Sequence, residues 1–381
     1  MSPAISTSQM STNSAPNNAL GRDTSVRELL RPLQEILGLK GVTEIVVNTP
    51  GIVMYELGAD WVTLPVPELN LTRLSQLVRA IATFTDQDIG PRQPILSAIL
   101  PDGQRVQIVV PPAVTPETVS LSIRLPSSTI RSLDEYEADG AFDTFTWAAP
   151  EVSEKEQSLA TTDKDLVAML RARRLKDFLI AAVAARRNIA IVGDTGSGKT
   201  TLMKSLCQHI PTEERIITIE DVRELFLPRH ENKVHLLYSK GGQGVAKVTP
   251  ADLIAANMRM RPDRVLLAEL RGSEAFDFLK LLTTGHSGSI TSYHAESCAL
   301  AFERYVLMAK EHGDASIFDA DGLKRLVTLT LDIIVHMRAQ VIAVGDGDRR
   351  KVRLVSEVHY DPVAKLKERF GHHDIIMGGV V

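Results

Sequence analysis

The sequence predicts an α/β protein, a domain built on a mostly parallel sheet preceded by a smaller α+β domain. Three observations support this. The strand-like runs NIAIVG, RIITIE, RVLLAEL and GSITSY alternate with helix-like runs, the pattern of a parallel sheet covered on both faces. GDTGSGKTT joins the first of those runs to the helix-like TLMKSLCQHI. The first third of the chain instead pairs short β-rich runs around turn residues.

Residues 1–24 are rich in Ser, Thr and Asn, with no basic start and no apolar stretch, and read as a disordered tail. Residues 25–128 make the N-terminal domain. VRELLRPLQEILG has helical spacing and stops at Gly38. GVTEIVVNTPGIVMYEL is a hairpin around Asn-Thr-Pro-Gly, and LTRLSQLVRAIATF a second amphipathic helix. SAILPDGQRVQIVVPP turns back at Pro101-Asp102-Gly103, and VSLSIRLP adds a strand. Residues 129–163 are polar and acidic, through SLDEYEADGAFD and EVSEKEQSLATTDKD. They read as an interdomain linker, with an ordinary surface excursion as the alternative. Residues 164–381 form the second domain. It opens with one helix, DLVAMLRARRLKDFLIAAVAARRN, and closes with antiparallel strands around Gly-Asp-Gly-Asp.

Composition narrows the classes. A chain of 381 residues, 44% hydrophobic and 24% charged, suits two soluble globular domains. With 43 basic against 47 acidic residues, bulk charge gives no support to direct nucleic-acid binding or to a DNA-translocating motor. Cys207 and Cys298 form no CxxC pair, which points to a reducing compartment. No run approaches about 18 apolar residues, so a cytoplasmic protein without a membrane span is expected.

The segment Gly193, Asp194, Thr195, Gly196, Ser197, Gly198, Lys199, Thr200 and Thr201 matches G-x-x-x-x-G-K-[ST] between a strand and a helix. Its glycines let the backbone wrap a phosphate chain, and the helix start favours an anion. Lys199 is expected on the β- and γ-phosphates of ATP, and Thr200 on Mg²⁺. In an open parallel sheet ligands bind beyond the carboxyl ends of the strands. Three further strands end at Glu220, Glu269 and His294, which brings those side chains to the edge that carries the loop. Each alone is also an ordinary strand end or helix cap. Together they suit Mg²⁺-assisted phosphoryl transfer. His286 and His294 bracket GSITSY without a third ligand in HxxxH or CxxC spacing, which disfavours zinc. A phosphate-sensing His294, with His286 nearer a subunit surface, fits better.

The phosphate loop, the acidic box TIEDVREL, the box RPDRVLLAELRG and the histidine box TGHSGSITSYHA together resemble the secretion-ATPase superfamily. Their wording is most similar to the traffic ATPases of type IV secretion and conjugation systems, the VirB-eleven kind. ILPDGQRVQIVVPP and VSLSIRLPSS resemble that family's N-terminal domain. The tetracysteine motif of many type II secretion and pilus-extension ATPases is missing, as is the AIRNLIRE-type segment of retraction motors.

The resemblance implies a homohexamer of subunits, each an N-terminal domain stacked on a RecA-like ATPase domain, with ATP between the two. Glu220 would polarise the attacking water and Glu269 would support Mg²⁺, roles that placement alone leaves interchangeable between the two. Arg105 and Arg124 match positions that touch nucleotide in relatives, though each also suits a surface strand. At least one of Arg259, Arg261 and Arg271 is expected to face nucleotide. The linker looks long enough to let an N-terminal domain pack on a neighbour. The expected setting is the cytoplasmic face of the inner membrane, peripheral and held by the other components of a type IV secretion channel. A P-loop kinase and a nucleotide-gated assembly scaffold are the alternatives.

Overall fold

The computed structural model describes residues 21–126, 130–148, 156–238, 247–343 and 349–374. Most of the expected tail and the Gly-Asp-Gly-Asp turn lie outside them.

The first helical run is split into α1 (Thr24–Leu30) and α2 (Gln34–Gly38) by a 3₁₀ turn, Arg31–Leu33. Pro32 has no N–H to give an α-helical ladder, so the turn tightens there. Next come β1 (Val42–Thr49), β2 (Ile52–Leu57) and β3 (Asp60–Pro65), then α3 (Leu71–Phe84). The Asn70 side chain caps α3 by accepting the Arg73 amide at 3.0 Å. β4 (Ile95–Ile99), β5 (Arg105–Val109) and β6 (Ser120–Arg124) complete an antiparallel sheet in the order β3-β2-β1-β6-β5-β4. Leu74, Leu77 and Ile81 of α3 pack on Ile45, Leu121 and Ile123, all buried.

The segment read as a linker is largely part of the second body. α4 (Leu133–Ala138) has a Ser132–Glu135 capping box, and β7 (Thr146–Ala148) is a strand of the large sheet. Leu133, Tyr136, Phe142 and Phe145 are buried in the same cluster as β8 residues Ile189 and Ile191. Those aromatics in an acidic stretch are what polarity alone hides. The following run, expected as one helix, becomes α5 (Thr161–Arg171) and α6 (Leu175–Ala184). Arg173 between them has φ +57° and donates to the Asp143 and Phe145 carbonyls, each at 2.9 Å, breaking the helix to hold the segment before β7.

β8 (Ile189–Gly193), α7 (Lys199–Cys207), β9 (Ile216–Glu220), β10 (Lys233–Leu237), α8 (Pro250–Asn257), β11 (Arg264–Leu267), α9 (Glu274–Thr283), β12 (Ile290–Tyr293), α10 (Cys298–Lys310) and α11 (Ala320–Thr330) follow. Two long strands, β13 (Ile333–Ala343) and β14 (Arg349–Tyr360), lead to α12 (Pro362–Asp374). The sheet order is β10-β9-β11-β12-β8-β13-β14-β7. It is parallel from β10 to β13, with β14 antiparallel to β13 and β7 parallel to β14. Ile189 and Ile191 join one apolar cluster while Ala190 and Val192 join the other, so the sheet is covered on both faces. No helix among the described residues is long and apolar enough to cross a membrane.

Candidate nucleotide site

β8 is buried throughout and ends at Gly193, where φ is +143°. A Cβ there would stand 2.1 Å from the Met337 carbonyl oxygen, so only glycine lets the loop leave the strand beside β13. The loop returns through Gly198, φ +98°, which caps α7. Thr195, Gly196, Gly198, Lys199, Thr200 and Thr201 line a cleft of about 520 Å³ between the two sheets. Lys199 is folded over its own loop, donating to the Gly193 and Asp194 carbonyls at 2.7 and 2.9 Å. Burial lowers its pKa to about 8, opposed by the charge of Glu269.

From that lysine a chain of alternating charges crosses the cleft. Lys199 Nζ lies 3.4 Å from His294 Nδ1, and His294 Nε2 lies 3.1 Å from Glu269 Oε1. Burial, then the Lys199 charge, holds His294 below its ordinary pKa. The neutral tautomer with its proton on Nε2 satisfies both contacts. Burial pushes Glu269 upward, but the Arg271 guanidinium outweighs it and keeps the carboxyl ionised. Arg271 reaches Glu269 at 2.5 Å and Asp221 at 3.2 Å. Asp221 meets Arg105 at 2.9 Å, and Arg105 also holds Glu224 at 2.7 Å.

Arg105 and Arg124 come from the N-terminal sheet, at the first residue of β5 and the last of β6, directly paired in register. Both line the cleft. The Arg124 side chain is exposed and makes no hydrogen bond or ion pair among the described residues. The same arginines also line an adjoining chamber of about 890 Å³.

Not every expected residue arrives. Glu220 ends β9 fully buried, and its carboxylate faces inward. It accepts the Thr218 hydroxyl at 2.7 Å and the Glu224 and Leu225 amides at 2.7 and 2.8 Å. It is not among the cleft residues, whereas Asp221 and Glu224 are. The bonds to Glu220 tie down the turn that presents them. Arg259 and Arg261 precede the amino end of β11, the opposite end from the cleft, so of those three arginines only Arg271 reaches the cluster. The two histidines stand at opposite ends of β12, separated by about 13 Å of strand. His286 instead contacts the Thr284 hydroxyl at 3.1 Å. Among the described residues no group of three or more His, Cys, Asp and Glu is placed to hold a metal ion.

Sequence reasoning also missed two cations of β14. Arg353 donates to the Gly196 carbonyl at 2.9 Å, and Lys351 lines the cleft beside it. No motif marks them; only the alternation of RRKVRLV, once β14 is known to flank the loop, singles them out. Glu224 had a readable signal, as the second glutamate of TIEDVREL.

A phosphate loop on the central strand of a mostly parallel sheet, with acidic strand ends beside it, defines a P-loop ATPase of the RecA-like kind. The family described as "Type II/IV secretion system protein" matches residues 153–343. VirB11 of Brucella suis is 44% identical over 358 residues, 93% of this chain and 96% of that protein. PtlH of Bordetella pertussis is 43% identical, over 87% of this chain and 94% of its own. The crystal structure of the Brucella suis VirB11 ATPase with sulphate matches with a TM-score of 0.50, covering 91% of this chain and 98% of that one. The pilus retraction motor PilT with bound ADP, at 16% identity, shares the fold with a TM-score of 0.51, over 90% and 85%. The chain belongs to the type II/IV secretion ATPase family, in its VirB11 branch.

Proposed function

We propose that this ATPase is Mg²⁺-dependent and works as a homohexamer. It would power substrate transfer or pilus assembly in a type IV secretion or conjugation system. It would sit at the cytoplasmic face of the inner membrane, held peripherally by other channel components. The observation behind this reading is that Arg105 and Arg124, from a separate domain, share the cleft of the phosphate loop. Such a cleft couples nucleotide state to the spacing of two domains.

In the mechanism, Lys199 leaves the loop carbonyls for the β- and γ-phosphates and regains its full charge. Thr200 at the start of α7 and the ionised Glu269 are oxygen donors that suit Mg²⁺, Glu269 through water. The ion would neutralise charge on the polyphosphate. Glu224, rather than Glu220, orients the attacking water and takes its proton as the bond from γ-phosphorus to the ADP oxygen breaks. Arg124 and Arg105 stabilise charge on the transferred phosphoryl group and draw the N-terminal sheet inward. Loss of that group releases them. His294 links Glu269 to Lys199 and so reports whether phosphate is present. The N-terminal sheet with its helices and the ATPase body from α4 onward act as the two moving domains.

The test is phosphate release against protein concentration with Mg-ATP, for wild type, Glu269→Gln and Arg124→Ala, each sized by light scattering. Specific activity is expected to rise as hexamer forms and to fall by about a hundredfold in both variants while the ring persists. A concentration-independent rate from a monomer indifferent to Arg124 would sink the ring. Turnover only with an acceptor would favour a kinase, and none at all a scaffold.

A further inference from the structure

Lys351 and Arg353 stand two residues apart on β14 and therefore share one face of it. Both border the phosphate-loop cleft. Arg353 braces the loop through the Gly196 carbonyl, and its Cδ lies 3.0 Å from where a Cβ on Gly198 would stand. Lys351 Nζ also lies close to the loop, 3.7 Å from the corresponding point on Gly196. Its ion pair, however, leads away from the loop, to Glu56 Oε1 of β2 at 2.6 Å. That carboxylate also accepts the Thr43 hydroxyl at 2.5 Å. Burial pushes Glu56 up, but hydrogen bonds from Lys351 and Thr43 outweigh it and keep it ionised. Lys351 and Glu56 are each about one-fifth exposed, at 21% and 18%. They thus form a charged bridge between the N-terminal sheet and the ATPase sheet, at the edge of an anion site.

We propose that Lys351 is a second phosphate-binding lysine and that Glu56 competes with the nucleotide for it. The proposal rests on the nucleotide reading of the loop. An ammonium on a flexible four-carbon stem can exchange partners by rotating its terminal bonds. Glu56 offers it a single negative charge. A bound di- or triphosphate offers several, at similar range and in the same partly desolvated space. Nucleotide then takes Lys351 and cuts one tie between β2 and β14. Arg353 stays on the Gly196 carbonyl and keeps the loop in shape. The exposed Arg349–Asp60 pair at 3.2 Å also ties that strand to the N-terminal sheet. Nucleotide binding would therefore loosen the N-terminal sheet along β14 while Arg105 and Arg124 draw it in at the other rim of the cleft.

The test is titration of the full chain with fluorescent ADP and ATP analogues, for wild type, Lys351→Gln, Lys351→Arg, Glu56→Gln and Glu56→Gln/Lys351→Gln. Thermal melts of each check folding. Lys351→Gln is expected to weaken both nucleotides about tenfold, and Lys351→Arg to recover most of that. Glu56→Gln is expected to tighten binding about threefold when Lys351 is present and to change nothing when it is absent. A purely structural bridge would lower the melting temperature of both single variants and leave affinity unmoved, which would overturn the proposal. So would a Glu56→Gln effect of equal size in both backgrounds. Failure of the wild type to bind would sink the nucleotide reading itself, whereas wild-type binding indifferent to Lys351 sinks this inference alone.

Discussion

Replacing Glu220 by alanine separates an anchoring role from a chemical one. The carboxylate accepts two backbone amides, one of them fully buried, and one hydroxyl. Thr218 keeps a partner after truncation, because His235 Nδ1 lies 2.9 Å from it. The amides of Glu224 and Leu225 do not. Orphaning a buried donor costs roughly 1–3 kcal/mol, and discounting the less buried amide gives a loss of about 3 kcal/mol. At roughly 2–4 °C per kcal/mol, melting should fall by about 6–12 °C. Glu220→Gln keeps an oxygen for both amides and gives up only charge assistance, so about 1 kcal/mol is expected. Glu224→Gln, at the cleft wall, should melt within about 2 °C of wild type, yet lose roughly a hundredfold or more in turnover. Thermal unfolding by circular dichroism, paired with phosphate release on the same samples, reads both effects. An alanine variant that melts like wild type would refute the anchoring argument. So would Glu220→Gln abolishing turnover while Glu224→Gln retained it.

Two further perturbations follow. Burial depresses Lys199 from 10.5 to about 8, so most of the population is neutral above that pH. Folding stability should therefore rise from pH 8 towards 10.5, where the unfolded chain holds the extra proton. Nucleotide restores that proton, so affinity should fall across the same window with measurable proton uptake; calorimetry in buffers of different ionisation enthalpy would detect it. A flat profile would contradict the buried-lysine account. Gly288→Ala should destabilise by about 3 kcal/mol, read by thermal unfolding. Its φ is +85°, and a Cβ would lie 2.8 Å from Arg264 Nη1. Arg264 is fully buried and bidentate on Glu214 at 2.6 and 3.0 Å.

The ATPase core was legible because its signals are local. A glycine loop between a strand and a helix, and acidic residues at strand ends, each declare themselves within a dozen positions. Glu269, His294 and Lys199 meet as the strand order implies. What escaped notice depends on contacts distant in sequence. Glu220 and Glu224 sit in one box, and only the backbone turn between them decides which carboxylate is consumed by amides and which stays at the cleft. β7 was hidden in an acidic stretch because it is three residues long, and its pairing with β14 lies 211 positions along the chain. Lys351 gains its place solely because β14 runs beside β13, next to β8.

The stitching of β7 into the large sheet has a mechanical consequence. With α4 and β7 belonging to the ATPase body, only residues 125–132 separate the last N-terminal strand from the first anchored helix. Whatever path they take, eight residues span at most roughly 26–29 Å. That is a short leash, and it keeps Arg105 and Arg124 near the phosphate loop of the same chain at an effective concentration in the millimolar range or above. A domain so tethered reaches the cleft without a search, and any pairing with another copy of the chain would have to fit within that radius.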